Sequence, residues 1–140
     1  MTFSHTQDDY ILRFFRGEKL IDTLIHFCID NAMSAARISA IGGLTYAKLG
    51  FYNLEKKKYE FKEYVQIVEL VSLLGTVALK EGQPVVHAHA VIANSELETF
   101  GGHMNEAIVG GTCEMHLIKL DVHLERKRDE DTGLSLLQLQ

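Results

Sequence analysis

The segment VVHAHAVIANSELETFGGH, residues 85–103, alternates apolar residues with histidines and then passes through a polar stretch to a glycine pair. Alternation with a period of two predicts a β-strand over Val85–Ala93, and the polar residues Asn94–Thr99 predict a turn after it. His87 and His89 leave the same face of that strand, with Cα atoms roughly 6.5–7 Å apart. The segment therefore predicts a sheet that carries two imidazoles side by side.

A third imidazole, His103, follows Gly101 and Gly102, which bring the backbone in without side-chain bulk. If the turn folds the chain back, His103 meets His87 and His89. Three neutral imidazoles with an open coordination position suit a divalent metal, with zinc the best match. The alternative is a hydrogen-bonded structural or pocket cluster, because a polar side chain on a partly apolar face needs a partner.

Two carboxylates are candidates to orient these histidines. Glu114 interrupts an otherwise apolar strand and could hydrogen-bond a histidine from behind. A pairing of Glu114 across a subunit boundary is equally open. Glu106, just past His103, is a weaker candidate for the same role.

The rest of the chain reads as one helix and about eight strands in a single α/β domain over residues 1–140. Helical spacing of Leu20, Leu24, Phe27 and Cys28 predicts a helix over Glu18–Asn31. A turn is expected at Gly42-Gly43 and a bulge or bend at Gly75. The other strands are predicted at Tyr10–Phe15, Arg37–Ile41, Thr45–Tyr52, Lys58–Tyr64, Val65–Leu79, Ala107–Leu120 and Leu134–Leu139.

Several strands are apolar on both faces, which one helix cannot cover. In the segment Val65–Leu79, the alternation places Leu74 on one face and Val71 and Leu73 on the other. Uncovered apolar surface of this kind marks an interface, so we expect the chain to associate with copies of itself. A barrel that closes on itself is the alternative.

Charge and composition narrow the possible partners. The chain has 14 basic and 19 acidic residues, a formal charge of −5, and such an acidic chain is a poor default binder of phosphate backbones. The basic runs Lys56–Lys58 and Arg126–Arg128 fall at predicted turns and are interpreted as exposed turn charge. No window approaches the roughly 18 apolar residues of a membrane span, and the polar start is not typical of a signal peptide, so a cytoplasmic location is expected.

These motifs resemble the plant-and-prokaryote-conserved (PPC) domain family over nearly the whole chain. Its H-A-H-A-V and G-G-H signature corresponds to His87, His89 and His103, and Ser39–Gly43, Leu49–Tyr52 and Glu69–Gly75 resemble further family segments in the same order. The resemblance implies a mostly antiparallel β-sheet with one helix packed on it, associating as a homotrimer, and some prokaryotic members hold a metal at the histidines. The AT-hook segment R-G-R-P of the plant proteins is missing from this sequence.

Three functions remain open at this point. The resemblance implies a DNA-associated or regulatory role for the homotrimer, although the net charge disfavours DNA. A small-molecule-binding protein with a histidine metal site is a second reading. A metal-dependent enzyme is a third, because three histidines and a water could support a hydrolytic or lyase reaction.

Overall fold

The computed structural model describes residues 1–139, and this part of the chain forms nine β-strands and one α-helix. The α/β class and the helix packed on a mostly antiparallel sheet are confirmed. The elements run in the order β1 (Thr2–His5), β2 (Asp9–Phe15), α1 (Leu20–Asp30), β3 (Ala36–Asn53), β4 (Lys58–Tyr64), β5 (Val68–Lys80), β6 (Gln83–Ala93), β7 (Thr99–Lys119), β8 (Glu125–Arg128) and β9 (Ser135–Gln138).

All nine strands belong to one sheet, and four of them pair in a closed cycle. β3 pairs with β5, β5 with β6, β6 with the first part of β7, and β7 returns to β3, each antiparallel. β2 extends the sheet from the far side of β7, β4 extends it from β3, and β8 adds a short parallel contact to β5. The sheet is thus partly closed on itself, as the barrel alternative anticipated, with open edges remaining at β1, β4 and β9.

Helix α1 packs on β6 and β7 and covers one face of the sheet. The predicted stripe of Leu20, Leu24, Phe27 and Cys28 is buried, while His26 and Asp30 face solvent. This amphipathic face is the main reason that the segment is helical, because a helix of 11 residues gains most of its stability from packing. No helix within the described residues is long and apolar enough to cross a membrane.

The expected turn at Gly42-Gly43 is wrong, since β3 continues through both glycines for 18 residues. Its pairing with β5 shifts register between Ala40 and Gly42 because β5 has one extra residue there, and β3 itself does not end. A Cβ on Gly42 would lie 2.5 Å from the carbonyl oxygen of Thr112 in the neighbouring strand β7, which explains why glycine is needed here.

The bulge in β5 lies at Val71–Ser72, not at Gly75 as expected from the sequence. Its extra residue reverses the alternation beyond it, so Leu73 is buried and Leu74 points outward, the opposite of the predicted faces. Gly75 instead permits close packing, because a Cβ there would lie 2.5 Å from the His87 carbonyl oxygen.

The charged run at Arg126–Arg128 also differs from the prediction of a solvated turn. It belongs to β8, which pairs antiparallel with β9 over Glu125–Arg128. The hydroxyl of Tyr52 donates to the Thr132 carbonyl at 2.7 Å and ties this hairpin to β3. Arg126 is therefore brought against the sheet.

Candidate metal centre

The three histidines singled out in the sequence lie together on the face of the sheet. His87 and His89 project from β6, and the β6–β7 ladder pairs His89 directly with His103. Their ring centroids are 5.2–5.7 Å apart. One ring nitrogen of each histidine lies within 4.8 Å of a ring nitrogen of each of the other two. Three imidazoles this close can hold one metal ion.

Glycines let β7 carry His103 into this position. His103 pairs with Gly50 of β3 on one side and His89 of β6 on the other, so the strand is confined between two neighbours. A Cβ on Gly102 would lie 2.8 Å from the Gly50 carbonyl oxygen. The glycine pair thus allows a close approach of backbones, as its position before His103 predicted.

His103 is held by packing, and one of its nitrogens has no partner. Its ring stacks on Tyr59 with centroids 4.6 Å apart, and its Nδ1 is buried without a hydrogen bond to any described residue. Burial lowers the pKa of His103 to about 4, with smaller contributions from His87, His89 and Arg126. Burial, followed by Arg126 and His89, also lowers the pKa of His87. Both rings are therefore neutral at pH 7, which is the form that binds metals.

Arg126 is a basic residue that hydrogen-bonds directly to the histidine cluster. Its guanidinium donates to the Thr76 hydroxyl at 3.1 Å, to the Ser135 carbonyl at 3.0 Å and to His87 Nδ1 at 3.3 Å. A neutral imidazole has one lone pair on its ring nitrogens, so Arg126 uses that of His87 in this arrangement. A metal ligated by His87 would compete with this contact.

The cluster lies at a cleft of about 940 Å³ whose charged lining is entirely basic. Tyr59, Tyr52 and the three histidines contribute to its wall, together with glycines of β3 and β7. Its charged lining residues are Lys57, Lys58, Lys80, Arg126 and Arg128. The volume is within the usual range for a small-molecule site.

The two carboxylates predicted to orient the histidines lie elsewhere in the chain. Glu106 faces Lys19 across a 3.8 Å ion pair at the start of α1. Glu114 is exposed on β7 opposite Ile41 of β3, beside Leu74. Neither makes a hydrogen bond or ion pair with the cluster within residues 1–139, because strand pairing directs each towards other neighbours.

Sequence reasoning missed Arg126 and Tyr59, the residues that contact the histidines. Tyr59 comes from β4 and Arg126 from β8, so both reach the cluster through tertiary pairing. The basic run Arg126–Arg128 was the only sequence feature that pointed to Arg126. Its interpretation as exposed turn charge led away from a role at the histidines.

Comparison with known proteins gives relatives along nearly the whole chain. A plant- and prokaryote-conserved (PPC) protein from Pyrococcus horikoshii is 36% identical, with a TM-score of 0.89 over 99% of this chain and 96% of that one. A metal-containing protein from Archaeoglobus fulgidus is 34% identical, with a TM-score of 0.89 over 99% of both chains. A candidate DNA-binding protein from Ralstonia eutropha is 28% identical, with a TM-score of 0.92 over 99% and 96%.

No curated protein matches the sequence. The family model of the Plants and Prokaryotes Conserved (PCC) domain matches residues 1–121. This range includes the three histidines and ends before Arg126. The predicted family is confirmed by this match and by the archaeal relatives. The chain belongs to the Plants and Prokaryotes Conserved domain family.

Proposed function

We propose that this protein binds one divalent metal ion per chain through His87, His89 and His103, and that it acts on or senses a small molecule there as a homotrimer. The convergence of three imidazoles, with His103 Nδ1 buried and unpartnered, carries the proposal. A buried nitrogen without a hydrogen bond is costly, and a bound cation would satisfy it.

The donor set favours zinc among the common divalent ions. Neutral imidazoles suit zinc, and three protein ligands are typical of sites that keep a position open for water or a ligand. When bound, such an ion supplies Lewis acidity or an activated water. The chain itself orients one of the ligands, because Tyr59 fixes the ring of His103 by stacking.

The comparison with the Archaeoglobus fulgidus protein supports this reading. That relative is described as metal-containing, and its similarity extends over 99% of this chain. A metal-dependent enzyme and a metal-dependent binding protein share the same site and differ in what happens after the ligand arrives.

Association as a homotrimer is proposed from the outer face of the sheet. Ile41, Val71 and Leu74 expose 59%, 49% and 65% of their surface on β3 and β5. Ile41 and Leu74 lie together beside Glu114, where strand pairing has no further layer to cover them. Apolar side chains grouped in this way are typical of subunit contacts.

A DNA-associated role is the second candidate. It is favoured by the Ralstonia eutropha relative and by the grouping of Lys57, Lys58 and Arg128, which offsets the acidic net charge locally. The candidate requires duplex binding that weakens steeply as salt is raised.

Elemental analysis of protein purified without an added tag or metal tests the metal proposal. We expect about one zinc per chain, retained after dialysis, and its loss in the variant His89→Ala. His89 is exposed, so its replacement should leave the fold intact. The matched control is His26→Ala on the solvent face of α1, which should keep its metal. No metal in the wild type, even after reloading with zinc, would overturn the proposal.

A further inference from the structure

The cleft beside the histidines contains five basic side chains and no acidic one among its lining residues, although acids outnumber bases in the whole chain. A random sample of this surface would contain several carboxylates. The excess of cations is therefore a local feature of the cleft, and it lies where a ligand of the metal would enter.

Arg126 is the most informative of these cations. It is half-buried, and no ion pair joins it to a carboxylate in the described part of the chain. Its hydrogen bonds go to a hydroxyl, a carbonyl and an imidazole, none of which is negatively charged. A guanidinium withdrawn from water without a counter-ion is destabilising, so an incoming anion would gain from pairing with it.

Among the described residues, the other four basic side chains of the cleft are weakly paired with carboxylates or not paired with them. Lys58 and Lys80 make no ion pair within residues 1–139, and Lys57 donates to the backbone carbonyl of Glu130 at 2.9 Å. Arg128 meets Glu130 at 3.7 Å in an exposed pair, which is worth little. The cleft thus concentrates positive potential around a recess of small-molecule size.

We propose that this cleft binds a small organic anion and that the Arg126 guanidinium pairs with its carboxylate or phosphate group. The inference deepens the proposed function, on which it rests, because a metal held by the histidines would add a further positive group beside Arg126. Concavity favours a small molecule over duplex DNA, since Arg126 is recessed and a duplex would meet the rim lysines first. The family match ends at residue 121, so Arg126 and Arg128 are outside it.

Calorimetric titration of the zinc-loaded protein tests the inference with benzoate, phenylphosphonate and neutral benzyl alcohol. The three probes share an aromatic ring and differ in charge, so the two anions distinguish a carboxylate from a phosphate ligand. We expect one or both anions to bind at one per chain and benzyl alcohol not to bind. Arg126→Gln should lower the affinity for the anion by about tenfold or more, since a charge-assisted hydrogen bond is lost.

The control variant is Arg16→Gln, an exposed arginine outside the cleft that changes the net charge equally. It should bind the anions as the wild type does. If Arg126→Gln fails to fold, Lys58→Gln on the exposed rim replaces it, with a smaller weakening in the same direction. Wild-type protein that binds neither anion, or unchanged affinity in the folded cleft variant, would overturn the inference.

The metal content of the same samples separates the two proposals. Zinc at one per chain without anion binding contradicts the inference and leaves the metal proposal standing. Without zinc, the metal proposal fails, and Arg126-dependent binding of an anion by the metal-free protein would still support the anion site. Duplex DNA that binds through Arg126 while neither small anion does would overturn the inference in favour of a nucleic-acid surface.

Discussion

At the scale of single residues, His103 links the packing of the site to its protonation. Its ring stacks on Tyr59 and is partly enclosed beside His87 and His89, so a charge on it would be poorly solvated. Burial therefore lowers its pKa from 6.5 to about 4. The neutral ring that this enclosure enforces is the form required for a metal ligand.

This shift predicts how the metal-free protein responds to acid. Because the folded pKa of His103 lies below its unfolded value, the unfolded chain takes up the proton first. The resulting stabilisation is complete above pH 6.5 and is lost as the pH falls towards 4. Urea unfolding at pH 7 and pH 4.5, at one protein concentration, should show the wild type losing on the order of 2 kcal/mol more than His103→Gln. Equal losses in both proteins would contradict the prediction.

The sequence predicted the residues of the cluster better than their neighbours. Alternation around His87 and His89 fixes their common face, and the glycines before His103 indicate a close approach. Arg126 contacts His87 from a strand nearly 40 residues away, and nothing local to either residue indicates that contact. Glu106 was expected near the histidines because it follows His103, but its position on β7 directs it towards Lys19 at the start of α1.

At the scale of elements, bulges decide which side chains reach the interior. The alternation in β5 predicted its strand correctly but assigned Leu73 and Leu74 to the wrong faces, because one extra residue at Val71–Ser72 reverses the pattern. The same limitation applies to β3, where the glycine pair Gly42-Gly43 suggests a turn although the strand continues through both residues. Periodicity therefore predicts strands here, whereas register depends on contacts between strands.

The close pairing of β3 and β7 beside His103 gives a testable case of such a contact. Gly102→Ala would force β7 away from Gly50, since the added Cβ lies 2.8 Å from its carbonyl oxygen. We expect a loss of about 1–3 kcal/mol in unfolding free energy and reduced zinc content, because His103 is the next residue. Gly111→Ala in the same strand is the matched control, with nothing within 4 Å of its Cβ, and should change stability by less than about 1 kcal/mol.

Urea unfolding and elemental analysis of both variants measure these effects. A fully stable Gly102→Ala with normal zinc content would show that β7 can shift without disturbing the histidines. Stability loss with intact metal would instead separate the role of Gly102 in packing from any role in positioning the site.

At the scale of the whole molecule, partial closure of the sheet explains why one helix suffices. The cycle of β3, β5, β6 and β7 buries many of its apolar residues without a second layer, and α1 covers β6 and β7. Closure does not cover Ile41 and Leu74, which remain outside the cycle's interior. The sequence predicted excess apolar surface, but it could not divide that surface between closure and association.

Association as a homotrimer is therefore tested at Leu74, which the partial closure of the sheet leaves exposed. Light scattering should give a mass near three times the 15.8 kDa of the chain. Leu74→Lys places a charge in the exposed patch and should shift the protein towards a folded monomer, because a buried unpaired charge opposes association. Leu97→Lys is the control, since Leu97 is 80% exposed at the β6–β7 turn and should leave the mass unchanged. A wild-type monomer would remove the trimer proposal, and a trimer that survives Leu74→Lys would place the subunit contact on another face of the sheet.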